Sequence, residues 1–237
     1  MKKLQPHKLD REAVRRQFQD RHRLLEECAR RLEAATCEIL HGIPRIDRVY
    51  FRAKSVNSFV DKACHIDPAT SIQKYASPFD EIEDQVAGRI LVFLLSDIDI
   101  VSKVLLSQFG RVEAKRKQPT DPNRFDYESQ HFVFTIPLEV QTDEWALIVD
   151  MPRTFEMQVR TLFMHAWAEP QHDLEYKAAQ PLTTQDRRLL ASAAASAWGA
   201  DQALEMVHER VNGRRPSDDK DAESTGLSSI RRENAEL

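Results

Sequence analysis

F-E-M-Q-V-R, residues 155–160, alternates without a break between apolar and polar side chains. In an extended strand that period places Phe155, Met157 and Val159 on one face and Glu156, Gln158 and Arg160 on the other. A carboxylate, an amide and a guanidinium therefore stand in a row over a bulky apolar underside. Two readings of the row remain open: a solvent-facing strand of an antiparallel sheet, or a polar strip lining a site. Residues 145–149, apolar at every position, read as a neighbouring strand and suggest a sheet covered on both faces, which favours a site.

Working outward, residues 131–136 form another strand candidate, and residues 162–177 continue from the alternating stretch as a helix. Upstream, residues 86–95 are apolar and rich in β-branched side chains. A helix holding Ile100, Val101, Val104 and Leu105, capped by Ser96 or Asp97, follows, and Val112 opens a further strand. Residues 49–54 read as a strand and 55–64 as a short helix, with 67–78 a polar loop. Residues 10–40 carry Val14, Phe18, Leu25, Cys28, Leu32, Ala35 and Ile39 at helical spacing, and Gly42 and Pro44 end that helix. Residues 184–211 form an alanine-rich helix, and residues 214–237 hold too little apolar surface to order. The fold expected is α+β: a mixed, mainly antiparallel sheet of about five strands flanked by helices, with strand order left open. The expected division is an N-terminal helix over 1–44, a central unit over 45–180, a helical extension over 181–213 and a tail.

The chain has 237 residues, with 34 basic against 38 acidic side chains. That balance predicts no overall attraction to DNA or to an anionic membrane, so any polyanion site must be a local patch. The longest apolar run, residues 90–95, is far short of the ~20 residues that span a bilayer, and no signal core follows the basic start, so a cytoplasmic protein is expected. Cys28, Cys37 and Cys64 lack the spacing of a disulfide framework or a zinc site and read as reduced and semi-buried. The six glycines do not cluster, which excludes a glycine-rich phosphate loop. His172 and Asp173 are adjacent, but further ligands for a metal-dependent phosphohydrolase are missing.

Local charge points to phosphate chemistry. Arg89 is the only charge in its strand, so it needs a partner, either Asp84 or Glu81 in a structural ion pair. Alternatively, Asp84 and Glu156 hold Mg²⁺, a hard cation that takes one or two carboxylates plus substrate phosphates. Arg52 and Lys54 alternate on a strand, and Lys54, Ser58 and Lys62 recur every four residues. This row is either a solvated face or a set of cations and a hydroxyl converging on a triphosphate. Residues 115–126, with Lys115, Arg116, Lys117 and Arg124, read as a mobile basic loop. Tyr127, Ser129 and His131 follow on one strand face, where an aromatic ring beside cations can stack a base.

Taken together and in this order, the segments resemble the synthetase domain of the RelA/SpoT family, which makes the alarmones ppGpp and pppGpp. R-A-K-S-V-N-S-F-V-D-K (52–62) resembles its R-x-K-x-x-x-S-x-x-x-K element, and D-Q-V-A-G-R-I (84–90) its Asp-to-Arg strand block. F-D-Y-E-S-Q-H (125–131) resembles G-Y-x-S-x-H, and E-M-Q-V-R-T-L-F-M-H-A-W-A-E (156–169) resembles E-x-Q-x-R-T-x-x-x-H-A-W-A. The resemblance covers about residues 45–177, and the flanking helices are similar to those of the small single-domain synthetases.

The resemblance implies a nucleotidyltransferase-like fold that moves the β,γ-pyrophosphate of ATP to the 3′-oxygen of GDP or GTP. Arg52 and Arg89 would sandwich the adenine, and Lys54, Ser58 and Lys62 would hold the phosphates. Asp84 and Glu156 would bind Mg²⁺, with Glu156 also the general base. Tyr127 would stack the acceptor's guanine, with His131, Gln158, Arg160, Lys115 and Lys117 on the acceptor side. Asp126 replaces the family's glycine before Tyr127, which bears on acceptor choice, and Pro170 is expected to end or kink the last helix of the block. A homo-oligomer is implied. Two alternatives stand beside this reading: a toxin-type member that modifies the 3′ end of tRNA, and a non-catalytic nucleotide sensor.

Overall fold

The computed structural model describes residues 9–67, 70–117, 129–176 and 180–213, with side chains other than those of 115–117, 172, 175 and 176. Asp10 accepts the amide hydrogen of Glu12 and starts α1 (Arg11–Ile39), whose stripe of Val14, Phe18, Leu25, Cys28 and Leu32 is buried. β1 (Ile46–Ala53) runs into α2 (Val56–Ala63), capped by Ser55. The short α3 (Pro78–Glu81) and a 3₁₀ turn, Glu83–Gln85, lead to β2 (Val86–Val92) and α4 (Leu95–Gln108). After β3 (Arg111–Lys117) come β4 (Ser129–Thr135), β5 (Thr154–Thr161), α5 (Leu162–Tyr176) and α6 (Thr184–Gly213).

The sheet has five strands in the order β1-β2-β5-β4-β3, and only the β2–β5 pair is parallel. Its register sets the site. Tyr50, Arg89, Gln158 and His131 form one continuous rung across four strands, while Arg52 and Glu156 both pair with Ala87. Paired residues share a face, so the polar row of β5 is joined on that face by Arg52, Tyr50, Arg89 and His131. The opposite face holds Phe51, Ile90, Phe132, Phe134, Phe155 and Met157, packed with Phe18, Leu25 and Leu32 of α1 and Leu105 of α4. Gly88 also lies on that face: a Cβ there would sit 2.6 Å from the Phe51 ring and 2.9 Å from Met157 Cε, so two large side chains exploit its lack of one.

Several expectations require correction. Residues 145–149 are not a strand. Trp145–Leu147 is a 3₁₀ turn, because its amides bond back locally (Trp145 to Thr142, Leu147 to Glu144), and only Trp145 is buried while Leu147 is 81% exposed. Continuous apolarity cannot separate a buried strand from a turn that buries one side chain. The basic segment is strand as far as Lys117, and 118–126 lie outside the described residues. The cap of α4 is Leu94, not Ser96 or Asp97; Asp97 instead accepts the Leu94 amide hydrogen and a bond from Arg45. α5 does not end at Pro170 but continues to Tyr176; ahead of the proline it is anchored by Met164 N–H to Thr161 Oγ1 and by Trp167 Nε1–H to the Leu190 carbonyl. Cys28 is buried, which pushes its thiol up to about 12, whereas Cys37 is exposed. The tail, 214–237, lies outside the described residues, among which no helix is long and apolar enough to cross a membrane.

Candidate active site

Three side chains from three elements meet beside the end of β1. Lys54 Nζ donates to Asp84 Oδ2 at 2.7 Å, and Lys62 Nζ to Asp84 Oδ1 at 2.9 Å. The sequence arranges this locally: Lys54 follows β1, its amide bonding to the Gln85 carbonyl, while Lys62 comes from α2 and Asp84 from the turn before β2. Burial pushes the Asp84 carboxyl up, but the two lysines outweigh it and hold it below the usual range. Lys62 is held above the usual lysine value, since Asp84 outweighs the cost of its burial. Ser58 does not join this cluster; its hydroxyl accepts a bond from Ser55 within the α2 cap. Arg52 is exposed on the sheet face and makes no ion pair among the described residues.

Glu156 stands on the same face. Its Oε1 accepts from His131 Nδ1 at 2.7 Å and from Gln158 Nε2 at 2.8 Å. An ionised carboxylate only accepts, so His131 carries its proton on Nδ1. Burial pushes the Glu156 carboxyl up, but these two bonds more than offset it, and the group is ionised at neutral pH. The charge of Asp84 is felt at Glu156, and both carboxylates are felt at Lys62. Among the described residues no group of three His, Cys, Asp or Glu side chains could hold a metal. A hard cation here would draw on Asp84 and Glu156 and complete its shell with phosphate oxygens, which suits Mg²⁺.

Arg89 does not pair with Asp84 or Glu81, the structural ion pair that is one of the two readings open for it. Its Nη1 lies 2.5 Å from Glu169 Oε1 and 3.2 Å from His165 Nδ1, and its guanidinium sits over the Tyr50 ring, 5.6 Å from the centroid. Asp84 is already taken by the lysines. Arg160 Nη1 also approaches Glu169 Oε1, at 3.4 Å, and burial with the nearby Arg89 charge lowers its pKa to about 9. His165, Glu169 and Tyr50 were absent from the expected site. The i, i+4 spacing of His165 and Glu169, inside the most distinctive stretch of the sequence, was the signal that could have found two of them.

Tyr127 and Asp126 lie outside the described residues, as do the side chains of Lys115, Lys117 and His172; the backbone of Lys115 pairs with His131. The structure thus brings together Lys54, Lys62 and Asp84 in one cluster, Glu156, His131 and Gln158 in a second, and Arg89 and Arg160 in a third.

Known proteins share sequence and fold with this chain. GTP pyrophosphokinase YjbM of Bacillus subtilis (strain 168) is 28% identical over 170 residues, covering 70% of this chain and 74% of the relative. GTP pyrophosphokinase YwaC of the same organism is 26% identical over 179 residues, 73% and 79% of the two chains. The fold is shared with the crystal structure of small alarmone synthetase 1 from Bacillus subtilis (TM-score 0.61, 23% identity, 86% of this chain and 98% of that one). It is also shared with a GTP pyrophosphokinase family protein from Streptococcus pneumoniae (TM-score 0.65, 19% identity, 81% and 93%). A family model described as a region found in RelA / SpoT proteins matches residues 51–181, a span that holds every side chain of the three clusters, and the chain belongs to that family.

Proposed function

We propose that this chain is a (p)ppGpp synthetase, a GTP pyrophosphokinase that transfers the β,γ-pyrophosphate of ATP to the 3′-hydroxyl of GDP or GTP and releases AMP. The observation that carries this reading is the placement of Glu156, which accepts from His131 and Gln158, on the same sheet face as Arg52 and Arg89, with Asp84 held by Lys54 and Lys62 beside the end of β1. A base and a set of phosphate-binding cations on one surface are what the transfer requires. The relatives support it: two bear the name GTP pyrophosphokinase, and structures of the Bacillus subtilis synthetase 1 hold its product pppGpp or AMPCPP.

In this reading Arg52 and Arg89 stack the adenine, and Lys54, Ser58 and Lys62 take the triphosphate. Asp84 and Glu156 hold Mg²⁺, which when bound neutralises charge developing on phosphate oxygens. Glu156 accepts the proton of the acceptor's 3′-hydroxyl as that oxygen bonds to the β-phosphorus; the bond from the β-phosphorus to the α,β-bridging oxygen breaks, and AMP departs with the electron pair. Tyr127, His131, Gln158, Arg160, Lys115 and Lys117 surround the acceptor. The reading extends to action in the cytoplasm and to self-association, for which an apolar groove lined by Phe93, Leu162, Phe163, Leu204, Val207 and Val211 is available.

The test is incubation of purified protein with γ-labelled ATP and Mg²⁺, separately with GDP, GTP and deacylated tRNA. Label on guanosine nucleotides with equimolar AMP is the expected result. Label on tRNA alone would transfer the chain to the toxin-type alternative, and no transfer to any acceptor would overturn the catalytic reading.

A further inference from the structure

The distinctive stretch over residues 156–169 supplies Glu156 to the chemistry and leaves His165 and Glu169, one helical turn apart on α5, without a task. Both face the sheet. The β2–β5 register aligns Arg89 with Gln158, so Arg160 stands one step further along the same face of the adjacent strand. Two guanidiniums are thereby held side by side, with side-chain exposures of only 15% and 7%. Like charges so far removed from water need an anion between them. Glu169 provides it, one oxygen receiving Arg89 at 2.5 Å and Arg160 at 3.4 Å, and it does so from the rim, 51% exposed.

We propose that Glu169 is a positioning residue for the ATP donor, acting through Arg89. A carboxylate that hydrogen-bonds a guanidinium lies near its plane, so the pairing occupies an edge and leaves the π faces available. Tyr50 backs the Arg89 guanidinium, and His165 Nδ1 is a second acceptor for the same Nη1, so the group is fixed in orientation from three sides. A pre-oriented cationic plane stacks a purine without first losing rotamer freedom, whereas an unanchored arginine, repelled by Arg160, must be ordered by the nucleotide itself. Glu169 touches no reacting atom; it holds Arg89 at 2.5 Å and the acceptor-side Arg160 only at 3.4 Å, so its effect falls mainly on donor binding.

The proposal rests on the reading of Arg89 as the residue that stacks the donor base, and the test separates the two. Affinity for a non-hydrolysable ATP analogue, KM for ATP, KM for GDP, kcat and Tm are measured for Glu169→Ala, Glu169→Gln, Glu169→Asp, Arg89→Ala and the Glu169→Ala/Arg89→Ala pair. Glu169→Ala should weaken analogue binding and raise KM for ATP about tenfold, the scale of one charge-assisted bond, with kcat within about twofold and a distinctly smaller rise in KM for GDP, reflecting the longer contact to Arg160. Glu169→Gln should fall between, Glu169→Asp should recover part of the loss, and the pair should be no worse than Arg89→Ala alone. If Arg89→Ala weakens analogue binding and Glu169→Ala does not, the positioning role is overturned while the donor site stands. If Arg89→Ala itself leaves binding unchanged, the donor reading of Arg89 falls and takes the proposal with it. Equal rises in both KM values together with a drop in Tm would assign Glu169 a purely structural role.

Discussion

His131 and Glu156 are diagonal neighbours across β4 and β5: His131 pairs in register with Gln158, yet its Nδ1 lies 2.7 Å from Glu156 Oε1. The carboxylate is thus drawn along its own strand toward Gln158, and both donors hold it ionised in a half-buried position. Glu156→Gln preserves shape and most hydrogen bonding while removing basicity. It should lower kcat by about 10²–10⁴-fold and leave the Tm and ATP-analogue affinity near those of the parent chain. Steady-state kinetics beside a thermal melt decide this, and retained turnover would remove Glu156 from the role of base.

The same pair sets a pH profile. Because the Glu156 carboxyl lies below its ordinary value of 4.5, the base stays ionised as pH falls from neutrality, and the acidic limb of kcat/KM should lie below that value. Replacing His131 by alanine removes one of the two bonds that lower the pKa, so that burial is opposed by Gln158 alone. The acidic limb of His131→Ala should therefore move to higher pH, measured by initial rates after pH jumps. A limb that stays in place would disconnect His131 from the base.

Asp84 is the counter-ion of a buried lysine, so its loss should reach beyond activity. Asp84→Ala leaves Lys54 without its carboxylate partner and should destabilise the fold by about 1–3 kcal/mol in urea unfolding. The sign with pH follows from the depressed carboxyl. The contribution of Asp84 is present above its ordinary 3.8 and is lost as pH falls through its lower folded value, so the stability gap between parent and variant should close in acid.

Gly88 makes a prediction about the opposite face of the sheet. A methyl group there would overlap the Phe51 ring and Met157 Cε, and Gly88→Ala should cost about 1–3 kcal/mol by thermal melt. Pairing it with Phe51→Leu, which withdraws the ring, should recover part of that cost.

The elements were legible because their signals are local. Alternation over 155–160 is a property of six consecutive residues, and the α1 stripe repeats at a spacing the helix itself imposes, so both reappear in β5 and α1. Residues 145–149 failed on the same ground: five apolar residues carry no period, and backbone bonds three residues apart made them a turn. Proline at 170 is a local signal for the end or a kink of a helix, yet α5 runs on to Tyr176, and one of its anchors, Trp167 to the Leu190 carbonyl, spans 23 residues and lies outside any local window.

Residue types and spacing by themselves determined that a carboxylate, an amide and a guanidinium share one strand face, that Lys54, Ser58 and Lys62 precede Asp84, and that Arg89 needs an anion. Only the tertiary structure decided the strand order β1-β2-β5-β4-β3, the capture of Asp84 by two lysines rather than by Arg89, and the choice of Glu169, from α5, as the anion that Arg89 and Arg160 share. The physical reason is that ion pairs are selected by proximity in space, and proximity between β2 and α5 is created by a parallel β2–β5 register that no window of neighbouring residues encodes.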